Sequence, residues 1–262
     1  MRELPEDRAT ITAPISLSII IPVKNGGEAF RRCLSALKAS NTSDFELIVV
    51  DDASTDDSPS LATSHGARLI TTQGSRPRLQ GARHGLQPHR GASQSPISNQ
   101  PSATLAPHAS AGVSSQQSHG PCVARNLGAR VARGEALFFI DADVAVRPDT
   151  VGRVVRAFAA DPDLVAAFGS YDERPSDPGF ISQYKNLFHH YVHQHARAEA
   201  STFWAGCGAI RRSAFFALGG FDEANYRRPS IEDIDLGYRL ARRGAKIRVC
   251  GRTKAHGLFC ST

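Results

Sequence analysis

Three acidic clusters give the 262-residue sequence its chemical character: Asp51-Asp52, Asp141-Ala142-Asp143 and Glu232-Asp233. The first two directly follow the apolar runs ELIVV and ALFFI, which read as buried strands. In an open parallel sheet, ligands bind beyond the carboxyl ends of the strands, so both clusters belong on the ligand-facing edge. Several carboxylates on one rim repel each other unless a cation joins them. A divalent metal carrying a phosphorylated ligand is the economical solution. Asp141 and Asp143 point to one side if the strand continues past Ile140, with Ala142 leaving room between them. Each cluster also has a plainer explanation. DAD can be a solvated turn, DDASTDD an Asp-rich turn capping the next helix, and Glu232-Asp233 a pair of helix N-terminal acids favoured by the macrodipole.

Such residues need a rigid frame, and the pattern of the chain supplies one. SLSIIIPV (16–23), ELIVVDD (46–52), ARLITT (67–72), ALFFI (136–140) and VAAFGS (165–170) read as strands. Between them lie helix-period segments. Phe30, Cys33, Leu34 and Leu37 share one face after Gly26-Gly27, and Val123, Leu127 and Val131 share another, with Gly134 at the position of a C-terminal cap. Pro148 opens a third helix carrying Val151, Val154, Val155 and Phe158. This alternation predicts an α/β fold with a mainly parallel, doubly wound sheet flanked by helices. Residues 180–195 place Phe180, Tyr184, Leu187, Phe188, Tyr191 and Val192 at helical spacing. The expectation is a core-facing helix; a membrane-surface or lipid-acceptor face is the alternative. His189 and His193 stand at i, i+4, a spacing that can bind metal, but no HExxH surrounds them.

The formal net charge of +6 suggests an anionic partner, but it is unevenly spread. Residues 73–119 hold four arginines and no Asp or Glu; outside them, 27 basic residues face 25 acidic ones. A nucleic-acid-binding domain carries its basic excess on its folded surface, so that class is excluded here. The same stretch contains nine Ser, seven Gln, five Pro and five Gly, too little apolar surface to offset its ordering entropy. The expected organisation is a flexible N-terminus (1–15) and a single domain (16–262) interrupted by a disordered insertion at 73–119. Five cysteines without CxxC spacing indicate neither a disulfide framework nor a zinc site. No apolar run approaches a membrane span and MRELPEDRAT has no signal-peptide core, so the expected address is the cytoplasm, with peripheral membrane contact as a variant.

Five segments, in order, carry a family resemblance: SIIIPVKNGG, ELIVVDDASTDDS, ARNLGARVARGEALFFIDADV, FWAGCGAIRRSAFFALGGFDE and SIEDIDLGYRLARRG. Together, from about residue 16 to 249, they resemble a family 2 glycosyltransferase with the GT-A fold. The resemblance implies inverting transfer of a sugar from a nucleotide diphosphate donor to an acceptor (a saccharide, a lipid-linked molecule or a small molecule). It implies that Pro22, Lys24 and Asn25 border the nucleoside, that Asp52 with Asp51 beside it meets the base, and that Arg125 lines the donor pocket. Asp141 and Asp143 correspond to the DxD that holds Mg²⁺ or Mn²⁺, Asp143 as the direct ligand. Asp233, with Glu232 in the ED pair, is the implied general base. Trp204 and Gly206 lie on the acceptor side, where the ring could stack on a sugar or simply pack in the core. His256 stands near the place of a histidine that completes the metal site in relatives, but its flanks differ, so an altered C-terminal region and an inactive donor-binding module are alternatives. FFIDADVAV also resembles the nucleophile strand of haloacid-dehalogenase-type phosphatases, with Asp141 as nucleophile. That motif belongs near the start of its domain, however, and about 140 residues precede it here.

Overall fold

The structure, a computed structural model, describes residues 15–73, 118–171, 179–195 and 199–250 and the strand at 259–261. In chain order the elements are β1 (Leu17–Val23), α1 (Gly27–Lys38), β2 (Glu46–Asp51), α2 (Ser58–Ser64), β3 (Arg68–Thr71), α3 (Pro121–Val131), β4 (Ala136–Ile140), β5 (Ala145–Val146), α4 (Thr150–Ala160), β6 (Leu164–Phe168), β7 (Ser170–Tyr171), α5 (Phe180–His195), β8 (Cys207–Arg211), α6 (Arg212–Ala217), α7 (Glu232–Ala241), β9 (Lys246–Val249) and β10 (Phe259–Ser261). Seven strands form one sheet in the order β3-β2-β1-β4-β8-β6-β9, and β5, β10 and β7 form a small second sheet.

The central strands are apolar throughout because both faces of the sheet are covered. Ile19, Ile20 and Ile21 are all fully buried, as is every residue of β4. Alternate side chains feed two cores: Ile19, Ile21, Phe138 and Ile140 pack beneath α1 and α4, while Ile20, Leu137 and Phe139 meet α3, Phe215, Phe221 and Leu236. The sheet is mainly parallel, but β8 runs antiparallel to both β4 and β6. That reversal matters for function. It returns the chain segment preceding β8 to the end of β4 that carries Asp141, where Asp141 N–H donates to Gly206 O at 3.0 Å.

Three expectations change. Gly134 is not a helix cap: α3 ends at Val131 and its cap residue is Ala132. Instead, a Cβ at Gly134 would stand 2.5 Å from Ser18 N, so the glycine lets the chain pass directly against β1. The fold also begins earlier than residue 16, because Ile15 is buried in the core. Finally, α5 does not face the core with its apolar stripe; Phe180, Ile181, Tyr184 and Phe188 are exposed. Residues 1–14 and most of the 73–119 insertion lie outside the described residues. Among the described residues, no helix is long and apolar enough to cross a membrane, and Cys33, Cys122, Cys207 and Cys250 are free and buried.

Candidate active site

The first two loops of the sheet edge are tied to one another. Asn25 adopts a left-handed backbone (φ 51°), donates its N–H to Ser54 Oγ at 2.9 Å and accepts from Thr55 N at 2.7 Å through Oδ1. Gly26 N–H donates to Ser58 Oγ, and Gly27 N–H to Asp56 Oδ2, both at 3.0 Å. Asp51 is buried and accepts from Ser54 N at 3.2 Å. The Asp-rich turn therefore braces the β1–α1 loop; at the start of α2 the cap residue Asp57 makes no side-chain capping bond, and Asp56 Oδ1 accepts from Ser58 N at 3.0 Å instead. Pro22 pairs with Val50 in the sheet and Lys24 is exposed at the strand end.

Asp52 is buried and saturated with hydrogen bonds. Its carboxylate accepts from Thr72 Oγ1 (2.8 Å), Ser118 Oγ (2.6 Å), His119 N (2.8 Å) and Gly120 N (2.8 Å). Burial alone would raise its pKa, but these four donors outweigh that effect and hold the carboxyl below its ordinary value. Thr72 enters the insertion and Ser118–Gly120 leaves it, so one carboxylate fastens both ends. Long loops are tolerated when their ends are held close. Gly120 makes this approach with φ 90°, and a Cβ there would lie 2.5 Å from Arg227 O. Pro121 then starts α3, which delivers Arg125 one turn later.

Arg125 is the hub of the site. Its guanidinium is buried, with Nη2 donating to Asp141 Oδ1 at 2.7 Å and Nη1 to Glu232 Oε1 at 2.8 Å. It also stacks over the Phe221 ring, 5.6 Å from the centroid. Burial opposes its charge, but the two carboxylates more than compensate and raise its pKa further. One side chain thus joins the end of β4 to the start of α7. Next to Glu232, Asp233 accepts from Ala205 N at 3.1 Å and from Ile234 N at 2.8 Å. These bonds do not offset its burial, so its carboxyl is pushed above the ordinary value of 3.8. Asp143, exposed at the tip of the turn, is likewise raised, by desolvation first and the Asp141 charge second. No cationic side chain is paired with Asp143 among the described residues.

The structure thus gathers Arg125, Asp141, Glu232, Asp233 and Gly206 through direct contacts. Trp204 is half-buried against Tyr171, with ring centroids 4.7 Å apart, and a Cβ at Gly206 would stand 2.6 Å from its indole. Its ring also lies 5.8 Å from that of His193. His256 lies outside the described residues. Among the described residues, no group of three His, Cys, Asp or Glu is arranged to hold a metal. The two DxD carboxylates nevertheless fit a hard divalent cation: the Asp141 charge raises the pKa of Asp143, and among the described residues no cationic side chain is paired with Asp143.

Sequence reasoning missed Asn126, beside Arg125 in the same ARN segment. Fully buried, it accepts from Phe221 N at 3.0 Å and donates to Phe221 O and Glu223 Oε1, both at 2.8 Å. It thereby clamps the GGFDE segment whose Phe221 carries the Arg125 stack. Gly128 was missed too; a Cβ there would meet Ile20 at 2.5 Å, so it allows α3 to lie close on β1. The spacing of Arg125, Asn126 and Gly128 within ARNLG was the available signal.

Residues 18–87 and 111–219 match the family model described as "Glycosyl transferase family 2"; the unmatched stretch falls inside the Ser/Gln-rich insertion. The uncharacterized glycosyltransferase YibD of Escherichia coli (strain K12) is 30% identical over 151 residues, 58% of this chain and 32% of that protein. The validoxylamine A glucosyltransferase of Streptomyces hygroscopicus subsp. limoneus is 26% identical over 274 residues, 94% of this chain and 52% of that protein. The chain thus spans about a third to a half of the length of these curated relatives. Among solved structures, the mannosyltransferase PcManGT from Pyrobaculum calidifontis, in complex with GDP-Man and Mn²⁺, aligns with a TM-score of 0.60 at 20% identity, covering 99% of this chain and 60% of that one. S. aureus TarS 1–349 with UDP-GlcNAc aligns with a TM-score of 0.57 at 16% identity, covering 95% of this chain and 59% of that one. At these identities the likeness establishes the GT-A fold.

Proposed function

The chain belongs to glycosyl transferase family 2, and from that membership we propose that it transfers a sugar from a nucleoside diphosphate donor to an acceptor hydroxyl, with inversion at the anomeric carbon. The observation that carries this reading is the Arg125 bridge, which brings the DxD end of β4 and the ED start of α7 to one sheet edge. A donor and an acceptor held there would have acidic groups on either side of the bond that breaks.

Each residue then has a role its surroundings support. The loops of Pro22, Lys24, Asn25, Asp51 and Asp52 border the nucleoside. Asp52 acts mainly by fixing the start of α3, since its oxygens are already occupied. Arg125 orients Asp141 and Glu232. Asp141 and Asp143 would hold Mg²⁺ or Mn²⁺, the ion that structural neighbours carry as Mn²⁺. When bound, such an ion offsets the negative charge that develops on the nucleoside diphosphate leaving group. Asp233 takes the proton of the acceptor hydroxyl; a carboxylate raised above its ordinary value is the better base. Its bond to Ala205 N–H aims it beside the Trp204–Gly206 segment, which borders the acceptor. The phosphatase reading of Asp141 falls with the family assignment, and Asp141 is moreover tied to Arg125.

A thermal-shift screen of UDP- and GDP-sugars with Mn²⁺ tests donor binding, because a ligand that binds the folded state raises its apparent stability. Asp233→Asn should keep that shift while transfer falls by roughly 10²–10⁴-fold. Wild-type turnover in that variant would remove Asp233 as the base. Donor binding by the wild type without turnover on any acceptor would point instead to an inactive donor-binding module.

A further inference from the structure

We infer, resting on the transferase reading for the role of Asp233, that Arg239 is a positioning residue: it holds α7, and Asp233 with it, against the turn that supports Arg125. The helix has a light apolar seat. Of its large apolar side chains, Leu236 and Leu240 are buried, while Ile234 and Tyr238 are exposed. A Cβ at Gly237 would stand 2.1 Å from Phe203 N, so α7 lies directly on the segment that leads to Trp204 and Gly206. Polar anchors complete the seat. Glu232 meets Arg125 at the helix start, and Arg239 reaches out about two turns further along. All three of its guanidinium nitrogens are used. Nε donates to Asp235 Oδ2 at 2.8 Å on the same helix, and Nη1 and Nη2 donate to Leu218 O and Gly220 O, both at 2.9 Å. Asp235 thus sets the fork, and the fork grips both ends of the turn after α6, where carbonyls have no donor from the helix itself.

One peptide unit of that turn joins the two helices of the site. Gly220 O accepts from Arg239 on α7, and the next N–H, that of Phe221, donates to Asn126 Oδ1 on α3 at 3.0 Å. The Phe221 ring packs on Phe139, two residues before Asp141, with centroids 5.2 Å apart, and carries the Arg125 guanidinium on its face. Arg125 Nε is buried without a partner among the described residues, so its two Nη bonds and this ring are what fix it. The helices of Arg125 and Asp233 are therefore connected twice, through Glu232 and through the Gly220–Phe221 peptide. One anchor leaves a helix free to tilt. Two anchors about two turns apart fix the tilt, and with it the direction in which Asp233 meets Ala205 N–H.

Hydrogen exchange on the full chain tests the link without any substrate. Arg239→Lys keeps the charge and the pairing with Asp235 but replaces the fork by a single nitrogen. In this variant the Ala205 N–H, whose acceptor is Asp233, should exchange about tenfold or more faster relative to the N–H groups of β1 than it does in wild type. Acceleration confined to residues 218–221 would reduce Arg239 to a brace of that turn and overturn the proposal. Equal acceleration at Ala205 and in β1 would overturn it too, by making the residue a contributor to stability alone. A second readout is nucleotide release from GDP-mannose or UDP-GlcNAc with Mn²⁺, water serving as acceptor. There kcat of Arg239→Lys should fall about tenfold or more while KM for the donor stays within about twofold. Wild-type kcat at a temperature where the variant stays folded would count against positioning. Wild type with neither turnover nor a donor-induced thermal shift would sink the transferase reading alone, since the exchange result is obtained without it.

Discussion

Carboxylates from the three acidic clusters stand on the same edge of one sheet, and Asp52 has surroundings opposite to those of Asp143 and Asp233. Asp52 is sealed: four donors occupy its oxygens and lower its pKa. Asp233 and Asp143 carry raised pKa values, because too few donors or cations reach them to offset desolvation. The same residue type is a fastener in one place and is left with few donors in the other. The difference lies in what α3 does between them. Its start is held by Asp52 through Gly120 N–H, and its second turn spends a buried guanidinium on Asp141 and Glu232 rather than on Asp143 or Asp233. Arg125 thus pairs with two carboxylates and with neither Asp143 nor Asp233, although its charge draws the Asp233 value part of the way back down.

The sharpest way to break this arrangement is Arg125→Ala. Glu232 is almost fully buried, and removing one partner of a buried charge pair costs about 3–5 kcal/mol. Urea unfolding should show a loss of that order, together with loss of donor binding, as the ends of β4 and α7 lose their link. A loss below about 1 kcal/mol would mean that the bridge is not what holds the two clusters together.

Breaking the other cluster should cost less. Asp52→Ala leaves the N–H groups of His119 and Gly120 and two hydroxyls without their acceptor, at about 1–3 kcal/mol. The ends of the insertion then separate, and the start of α3 with them, so donor affinity should fall although Asp52 need not touch the donor. Replacing residues 74–117 by a short Gly/Ser linker discriminates between these effects. If Asp52 serves mainly as a fastener, the shortened loop should restore most of the stability lost in Asp52→Ala, because fewer residues must be closed. No restoration would return Asp52 to direct ligand contact.

The legibility of these features in the sequence follows their range. The strands were plain because a strand covered on both faces is apolar at every position, as Ile19–Ile21 and Leu137–Ile140 are. The placement of Asp141 at a strand end followed from the same runs. The antiparallel insertion of β8 was not legible: CGAIR carries no signal of direction, and only its pairing with β4 and β6 fixes it. The donors of Asp52 could not be read because Ser118 and Gly120 lie 66 and 68 residues away, across a segment without pattern. The role of Gly134 was misjudged because a glycine after a helix suits a cap as well as a close approach, and only the neighbouring Ser18 decides between them. For α5 the period was right and the sense inverted. Helical spacing specifies which residues share a face but not whether that face turns to protein or away from it.

The smallest effects, and the most discriminating, are in pH. Asp52 has a lowered folded value, so its contribution to stability is present above the ordinary carboxyl value of 3.8 and fades as pH falls through the lower folded one. Asp233 has a raised value, and in the base role proposed for it only the carboxylate would act, so turnover should begin to fall at a higher pH than an ordinary aspartate would allow. Acidification should therefore remove catalysis before it loosens the loop ends. The ordering can be read from the pH profile of kcat/KM set against the unfolding free energy of wild type minus that of Asp52→Asn. The first should decline while the second is still flat. If both declined together, loss of the fold at the α3 start would explain the activity profile, and Asp233 would need no raised pKa. If only the second declined, the group that takes the acceptor proton would have to be sought away from α7.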